Sequence, residues 1–328
     1  MHWIEDFYSL TQQWLFESVI QPLMFAVGLG HLLEDGYTAT GWLLVGLVQI
    51  VVMVAVIGPL QRWRPVEPVT DQAGVRTDVL YTLIHRLGLF RVVLFLAVEP
   101  LFDELFGMAR VAGWGTLHID QFWVEVTEHP VISFALYLVV FDLVGYWVHR
   151  AQHGWEWWWR LHALHHSQRQ MTMWSDNRNH LLDDLIRDSL LVVLGQVIGV
   201  EPGQFVAIVA FTQLSESLQH ANLRLAFGRF GERLWVSPRF HRLHHSIGIG
   251  HENDAARQET LVRDRSPALG GHNFGVLLPW WDMLFRTSNF DNRYDPTGIR
   301  DQVERGRDYG RGFWSQQWLG LKRLIGRA

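Results

Sequence analysis

The chain has 328 residues, 48% of them hydrophobic and only 19% charged, with a formal net charge of −5. Charged residues make up about 25% of an ordinary soluble domain, so this chain is too apolar for one, and its negative charge excludes a nucleic-acid footprint. Cysteine is absent, which excludes disulfides, Cys-ligated zinc, Cys-ligated iron–sulfur clusters and thiolate-bound haem; any metal must be held by nitrogen and oxygen.

In chain order, MHWIEDFYSL lacks the positive n-region of a cleaved signal peptide. Residues 11–35 are apolar but interrupted by Glu17, Pro22, His31 and Glu34, which suits an interfacial helix or a poor first span. Residues 41–60 carry no charge and predict a transmembrane helix, closed by the basic, aromatic boundary Gln61-Arg62-Trp63-Arg64. A third span is expected over 79–101, although His85, Arg86 and Arg91 fall in it; such charges face protein or snorkel. The loop 102–130 is acidic. Residues 130–148 predict a further span with a single charge, Asp142. Residues 181–200 and 203–218 are two apolar arms around Pro202-Gly203 and read as a helical hairpin that spans or dips into the bilayer.

The fold class expected is all-α: a polytopic membrane protein with about four transmembrane helices and a cytoplasmic helical cap. The expected divisions are a membrane region, 1–129, a catalytic region, 130–290, and a C-terminal tail, 291–328. Arg62, Arg64 and Arg76, then Arg150, Arg160, Arg169 and Arg178, and the basic tail place their loops on the cytoplasmic side, with 102–130 outside. The location expected is a bacterial inner membrane.

Histidine carries the chemistry. His149 and His153 are spaced i, i+4; His162, His165 and His166 are spaced i, i+3, i+4, and His241, His244 and His245 repeat that pattern. On a helix these spacings put imidazoles on one face, close enough to share a metal. Eight clustered histidines exceed one zinc site and suit two metals; all-imidazole ligation fits iron, zinc, copper or nickel. His220 and His180 are further candidate ligands, His180 having a cap or supporting role beside Asp183 and Asp184 as its alternative. His251 and His272 read as solvated loop histidines. Asp142, two helical turns before His149, is a candidate catalytic acid that could orient His149 or His153; the alternative is a partner for an arginine. Trp155, Trp157, Trp158 and Trp159 read as an interface belt. A membrane metal transporter is the rival class, but its ligands would lie near the bilayer midplane, whereas these clusters start where spans end.

The ordered series HRAQH, HALHH, QHAN, SPRFHRLHHS, NFG and WDMLFRTS, over roughly 130–290, resembles the fatty acid hydroxylase superfamily: sterol desaturases, sphingolipid and fatty acid hydroxylases, alkylglycerol monooxygenase. The resemblance implies a non-haem centre of two Fe ions, replaceable by zinc on purification, that uses O₂ to hydroxylate or desaturate a lipid C–H bond. It implies His149, His153, His162, His165, His166, His220, His241, His244 and His245 as ligands. The partners expected are a membrane lipid and a separate electron-donor protein or reductase. Three departures stand out. Asn-Phe-Gly at 273–275 replaces the usual Asn-Tyr-Gly, it follows a long segment over 246–271, and Arg286-Thr287 replaces Gly-Thr.

Overall fold

The structure is a computed structural model that describes residues 2–91, 99–123, 129–247 and 271–328. Part of the expected third span (92–98), part of the acidic loop (124–128) and most of the 246–271 segment, with His251, lie outside the described residues. Among the described residues the chain is helical, with no strand and a single isolated bridge, Ser246 to Thr297. Two units form: residues 1–52 with 83–114, and residues 53–82 with 115–328.

In the first unit, α1 (His2–Leu15) and α2 (Leu33–Val52) pair. The Tyr8 hydroxyl donates to Gly41 O at 2.9 Å and Gln12 Nε2 to Tyr37 O at 2.9 Å. α1 leaves Phe7, Leu10 and Trp14 exposed, an apolar outer face of the kind an interfacial helix presents. The charges expected to face protein do so: Arg86 is buried and donates to Gln49 Oε1, and the Arg91 guanidinium lies 3.6 Å from the Trp42 ring centroid. Gly46 admits no side chain, because a Cβ there would meet Arg86 O.

Of the four spans expected, two stand out by length and composition among the described residues. Two helical runs are long and apolar enough to cross a membrane, Gly30–Trp63 and Pro130–Gly154. The region 79–101 is not one straight span. α3 (Gln72–Arg86) stops there, and the chain turns at Gly88, where φ is 79°. A glycine in the left-handed region ends a helix by satisfying its last carbonyls, and Gly88 N–H donates to His85 O. Residues beyond the turn resume as α4 (Glu99–Val111).

The second unit is built on α5 (Pro130–Gly154), started by Pro130 at a first-turn position where its missing N–H costs nothing. α6 (Glu156–His166) follows after one residue. α7 (Leu181–Ile198) and α8 (Pro202–His220) form the expected hairpin, turned by Gly199 at φ 69° and restarted by Pro202. This hairpin runs along most of α5. At one end Gln152 donates to Asp183; at the other Tyr137 donates to Ile198 O and Gly199 O, and Gln204 to Ser133. Tyr137, Leu138, Phe141, Ile198, Ile208, Leu277 and Leu278 make the core between them. α9 (Pro238–His244), α10 (Trp280–Leu284) and α11 (Phe313–Leu324) complete the unit.

Asp142 lies near the middle of α5 and is buried, but it touches neither a histidine nor an arginine. Its carboxylate accepts from Leu277 N–H at 2.7 Å, Leu278 N–H at 3.1 Å and Trp281 Nε1 at 2.8 Å. The non-helical backbone before α10 is therefore docked on the helix, with its buried N–H groups satisfied by one side chain. The catalytic expectation for Asp142 is replaced by a structural tie. Asp142→Ala should strand those donors and cost about 3–5 kcal/mol. A large drop in the melting temperature of the detergent-solubilised protein is expected, with Asp142→Asn losing less; an unchanged melt would refute the tie.

Candidate metal centre

The histidine motifs fall where helices end against one another. The i, i+4 pair is at the end of α5, the first HxxHH closes α6, His220 ends α8, and the second HxxHH lies on α9, which Ser237 caps by accepting from Phe240 N–H. Four elements thus bring nine histidines together. His149, His153, His162 and His166 form one group and His165, His220, His241 and His245 a second, with ligand atoms in each within 4.8 Å of one another. His166, His244 and His245 form a third grouping that joins them. His180 is not in any of these. It caps α7, where its Nδ1 accepts from Leu182 N–H, and its Nε2 donates to Gln317 O. Gly320 of α11 lies against its ring, too close for any Cβ. The ligand expectation for His180 gives way to its alternative, the cap.

Hydrogen bonds set which nitrogen each ring offers. The Nδ1–H groups of His149, His162, His220 and His244 donate to Phe274 O, Asp183 Oδ2, Glu216 O and His272 O, at 2.8–3.0 Å. That leaves Nε2 of each ring as a lone pair aimed inward. Nε2 of His162, His166 and His244 is buried with no hydrogen-bond partner. In the second group Nε2 of His220 lies 3.1 Å from that of His165 and 3.0 Å from that of His241, which is 3.1 Å from that of His245. His220 Nε2 accepts only, so a neutral His241 Nε2 cannot make two-centre hydrogen bonds to both of its neighbours. The donor set fits a cation. With metal–nitrogen bonds of about 2.1 Å, ligand nitrogens 90° apart are about 3.0 Å from each other, and tetrahedral ones about 3.4 Å. The observed spacing of 3.0–3.1 Å lies in the range that nitrogens sharing one cation would have.

Burial, and then the neighbouring imidazoles, hold His165, His166, His241, His244 and His245 well below the ordinary histidine range. They are neutral, as ligands must be. The Asp183 carboxylate meets a clustered ring, that of His162. Burial acts to raise its pKa, but the His162 contact and donors from Gln152 and Trp158 outweigh that and hold it below the usual value. Sequence reasoning placed Asp183 only beside His180. The missed signal is that an acid in the first turn of α7 can be reached by side chains from both preceding helices, Gln152 from α5 and Trp158 and His162 from α6.

The unusual motif residues also find their places. Phe274 serves through its backbone carbonyl on His149, while its ring packs against His149, His153 and His244; a phenolic oxygen is not required for either. Asp282 accepts from Phe274 N–H, Gly275 N–H and the Thr287 hydroxyl. Arg286 has φ 59°, a left-handed position natural to the glycine that the resemblance leads one to expect. His272, expected to be solvated, is buried, because its carbonyl must reach His244. Trp155 and Trp157 are exposed as an interface belt requires, whereas Trp158 and Trp159 are buried.

Two outcomes follow from this geometry. Asp183→Asn should weaken metal binding about 10–100-fold, whereas His180→Gln should lower stability without lowering metal content; equilibrium dialysis with metal analysis separates the two. For the metal-free protein, His165, His166, His241, His244 and His245 have folded pKa values below the unfolded value of about 6.5, so the unfolded state takes up more protons on acidification. Stability should be full above that pH and fall as pH drops below it, by up to about 1.4 kcal/mol per pH unit for each ring. A pH series of thermal melts that is flat from pH 8 to 5 would contradict this.

Comparison with known proteins agrees with the site. Residues 134–287 match the model of the fatty acid hydroxylase family. "Ornithine lipid hydroxylase OlsE" of Rhizobium tropici is 28% identical over 258 residues, 77% of this chain and 70% of that protein. "Alkylglycerol monooxygenase" of Caenorhabditis elegans is 25% identical over 157 residues, 47% of this chain but only 26% of that protein. No solved structure matches. The matched stretch contains all nine clustered histidines, Asp183 and the Asn273–Thr287 turn that supports them, so the similarity to the fatty acid hydroxylase family covers the whole of the candidate site.

Proposed function

We propose that this chain is a membrane-bound lipid hydroxylase that holds two iron ions in its histidine groups and uses O₂ to oxidise a C–H bond of a polar lipid. The observation that carries this reading is the convergence of nine imidazoles, four with Nδ1–H fixed, into two adjoining groups. Bound iron would supply oxygen activation and the oxidising power for the C–H bond. The chain's part is to hold the ligand rings in one tautomer, exclude water by burial and bring an acyl chain alongside. The names of the two relatives favour hydroxylation of a lipid over desaturation, and an aminoacyl or ether lipid over a sterol.

A four-span topology belongs to this reading. α7 and α8 have 18 and 19 residues, about 27–28 Å each, near the ~30 Å hydrocarbon thickness. They pair with α5 from Ser133 to Gln152, so a bilayer around α5 surrounds them too. With Gly30–Trp63 they make four spans. The basic loops put the histidine groups on the cytoplasmic side of a bacterial inner membrane, beside the ends of the spans. Electrons come from a separate donor protein, since the chain has no cysteine for an iron–sulfur cluster and no Gly-rich nicotinamide fingerprint.

Iron-loaded protein given ¹⁸O₂, a reductant system and bacterial lipid extract should yield a lipid alcohol carrying one ¹⁸O, read by mass spectrometry. His165→Ala and His244→Ala should abolish it. An unlabelled alkene would make the enzyme a desaturase. Label arriving from water, or no product over a broad lipid panel, would overturn the oxygenase reading.

A further inference from the structure

Between α5 and α6 the chain places four tryptophans within five residues, and three of them stack. Trp157 and Trp158 are 5.2 Å apart at 10°, Trp155 and Trp158 5.8 Å at 30°, and Trp155 and Trp157 6.2 Å at 26°. The stack is graded in exposure. Trp155 is 55% exposed, Trp157 44% and Trp158 3%. Anchoring at an interface accounts for the two outer rings, whose indoles suit the headgroup level. It does not account for the buried one. Trp158 Nε1 donates at 2.7 Å to Asp183 Oδ1, and the other oxygen of Asp183 receives the Nδ1–H of His162. A continuous line thus leads from a clustered imidazole through one carboxylate into three stacked indoles and out to the surface.

We propose that this line, His162–Asp183–Trp158 and then Trp157 and Trp155, is a one-electron relay that carries surplus oxidising equivalents away from the histidine centre. The proposal rests on the oxygenase reading, because it needs an oxidant there: the metal pair after reaction with O₂ when no lipid C–H bond is in reach. Indole is among the side chains that most readily lose one electron. Trp158 gives one electron to the centre, which is reduced by one equivalent, and its N–H proton passes to the Asp183 carboxylate. Trp157 or Trp155 returns an electron to Trp158, which takes its proton back. A thiol or ascorbate in solution then reduces the outer ring. Nothing is consumed but the external reductant. Without the relay the oxidant would spend itself on the nearest rings, which are the ligand histidines and Trp159, 5.0 Å from His153 and 5.3 Å from His166.

The test uses the full iron-loaded chain in detergent, given hydrogen peroxide and no lipid, followed by peptide mass spectrometry. Hydroxytryptophan and kynurenine should concentrate on Trp155 and Trp157, well above the more exposed Trp63, Trp114 and Trp314. In Trp158→Phe they should fall several-fold there and rise on Trp159 and the clustered histidines. Because Trp158→Phe also removes a donor to Asp183, the double variant Trp155→Phe/Trp157→Phe, confined to exposed rings, provides a second arm: oxidation should then stop on Trp158. Ascorbate should protect the wild-type chain more than either variant. Oxidation spread evenly over exposed tryptophans, or unchanged by both variants, would overturn the relay alone. No oxidised residue in any iron-loaded sample would overturn the oxidant and the relay with it.

Discussion

Nine imidazoles converging from four elements are the constraint on which the second unit depends. Rings must be turned so that one nitrogen faces its neighbours, and for four of them that is done by acceptors on the far side of the ring: Phe274 O, Glu216 O, His272 O and the Asp183 carboxylate. Those acceptors come from two helices and a turn, so the ligand groups exist only if the helices meet correctly. A site built this way is unstable by itself. His241 Nε2 cannot hydrogen-bond to His220 and His245 at once, and a cation restores what is lost.

The second organising element is Asp142. An ionisable group in the middle of an apolar helix is costly unless it is fully engaged. Here it receives three donors from the segment leading into α10. That segment also supplies Phe274, so the tie at Asp142 and the hold on His149 are parts of one docking event. The remainder of the turn is locked by Asp282, which burial raises to about 6 despite its three donors.

Much of this was legible in the sequence, for physical reasons. The histidine spacings are helical spacings, so the clusters could be read directly, and Pro202-Gly203 marked the hairpin. Charge-free composition marked 41–60, and a run with the single charge Asp142 marked 130–148. The region 79–101 misled because its hydropathy is continuous while the turn is a single glycine at 88. Asp142 and His180 misled in a different way. Both have the right chemistry at helical spacing from histidines, but hydrogen-bond partners more than a hundred residues away in sequence claim them first. Asp183 escaped notice as a support for His162 because that pairing joins two helices whose packing no local pattern encodes.

The shared grouping of His166, His244 and His245 couples the two ligand sets. Whatever occupies one set fixes rings that also border the other, so part of the ordering entropy of the second is spent in advance. For the proposed two-metal centre this would make loading cooperative: at less than full metal, the population would divide between empty and doubly filled chains and pass over the singly filled form.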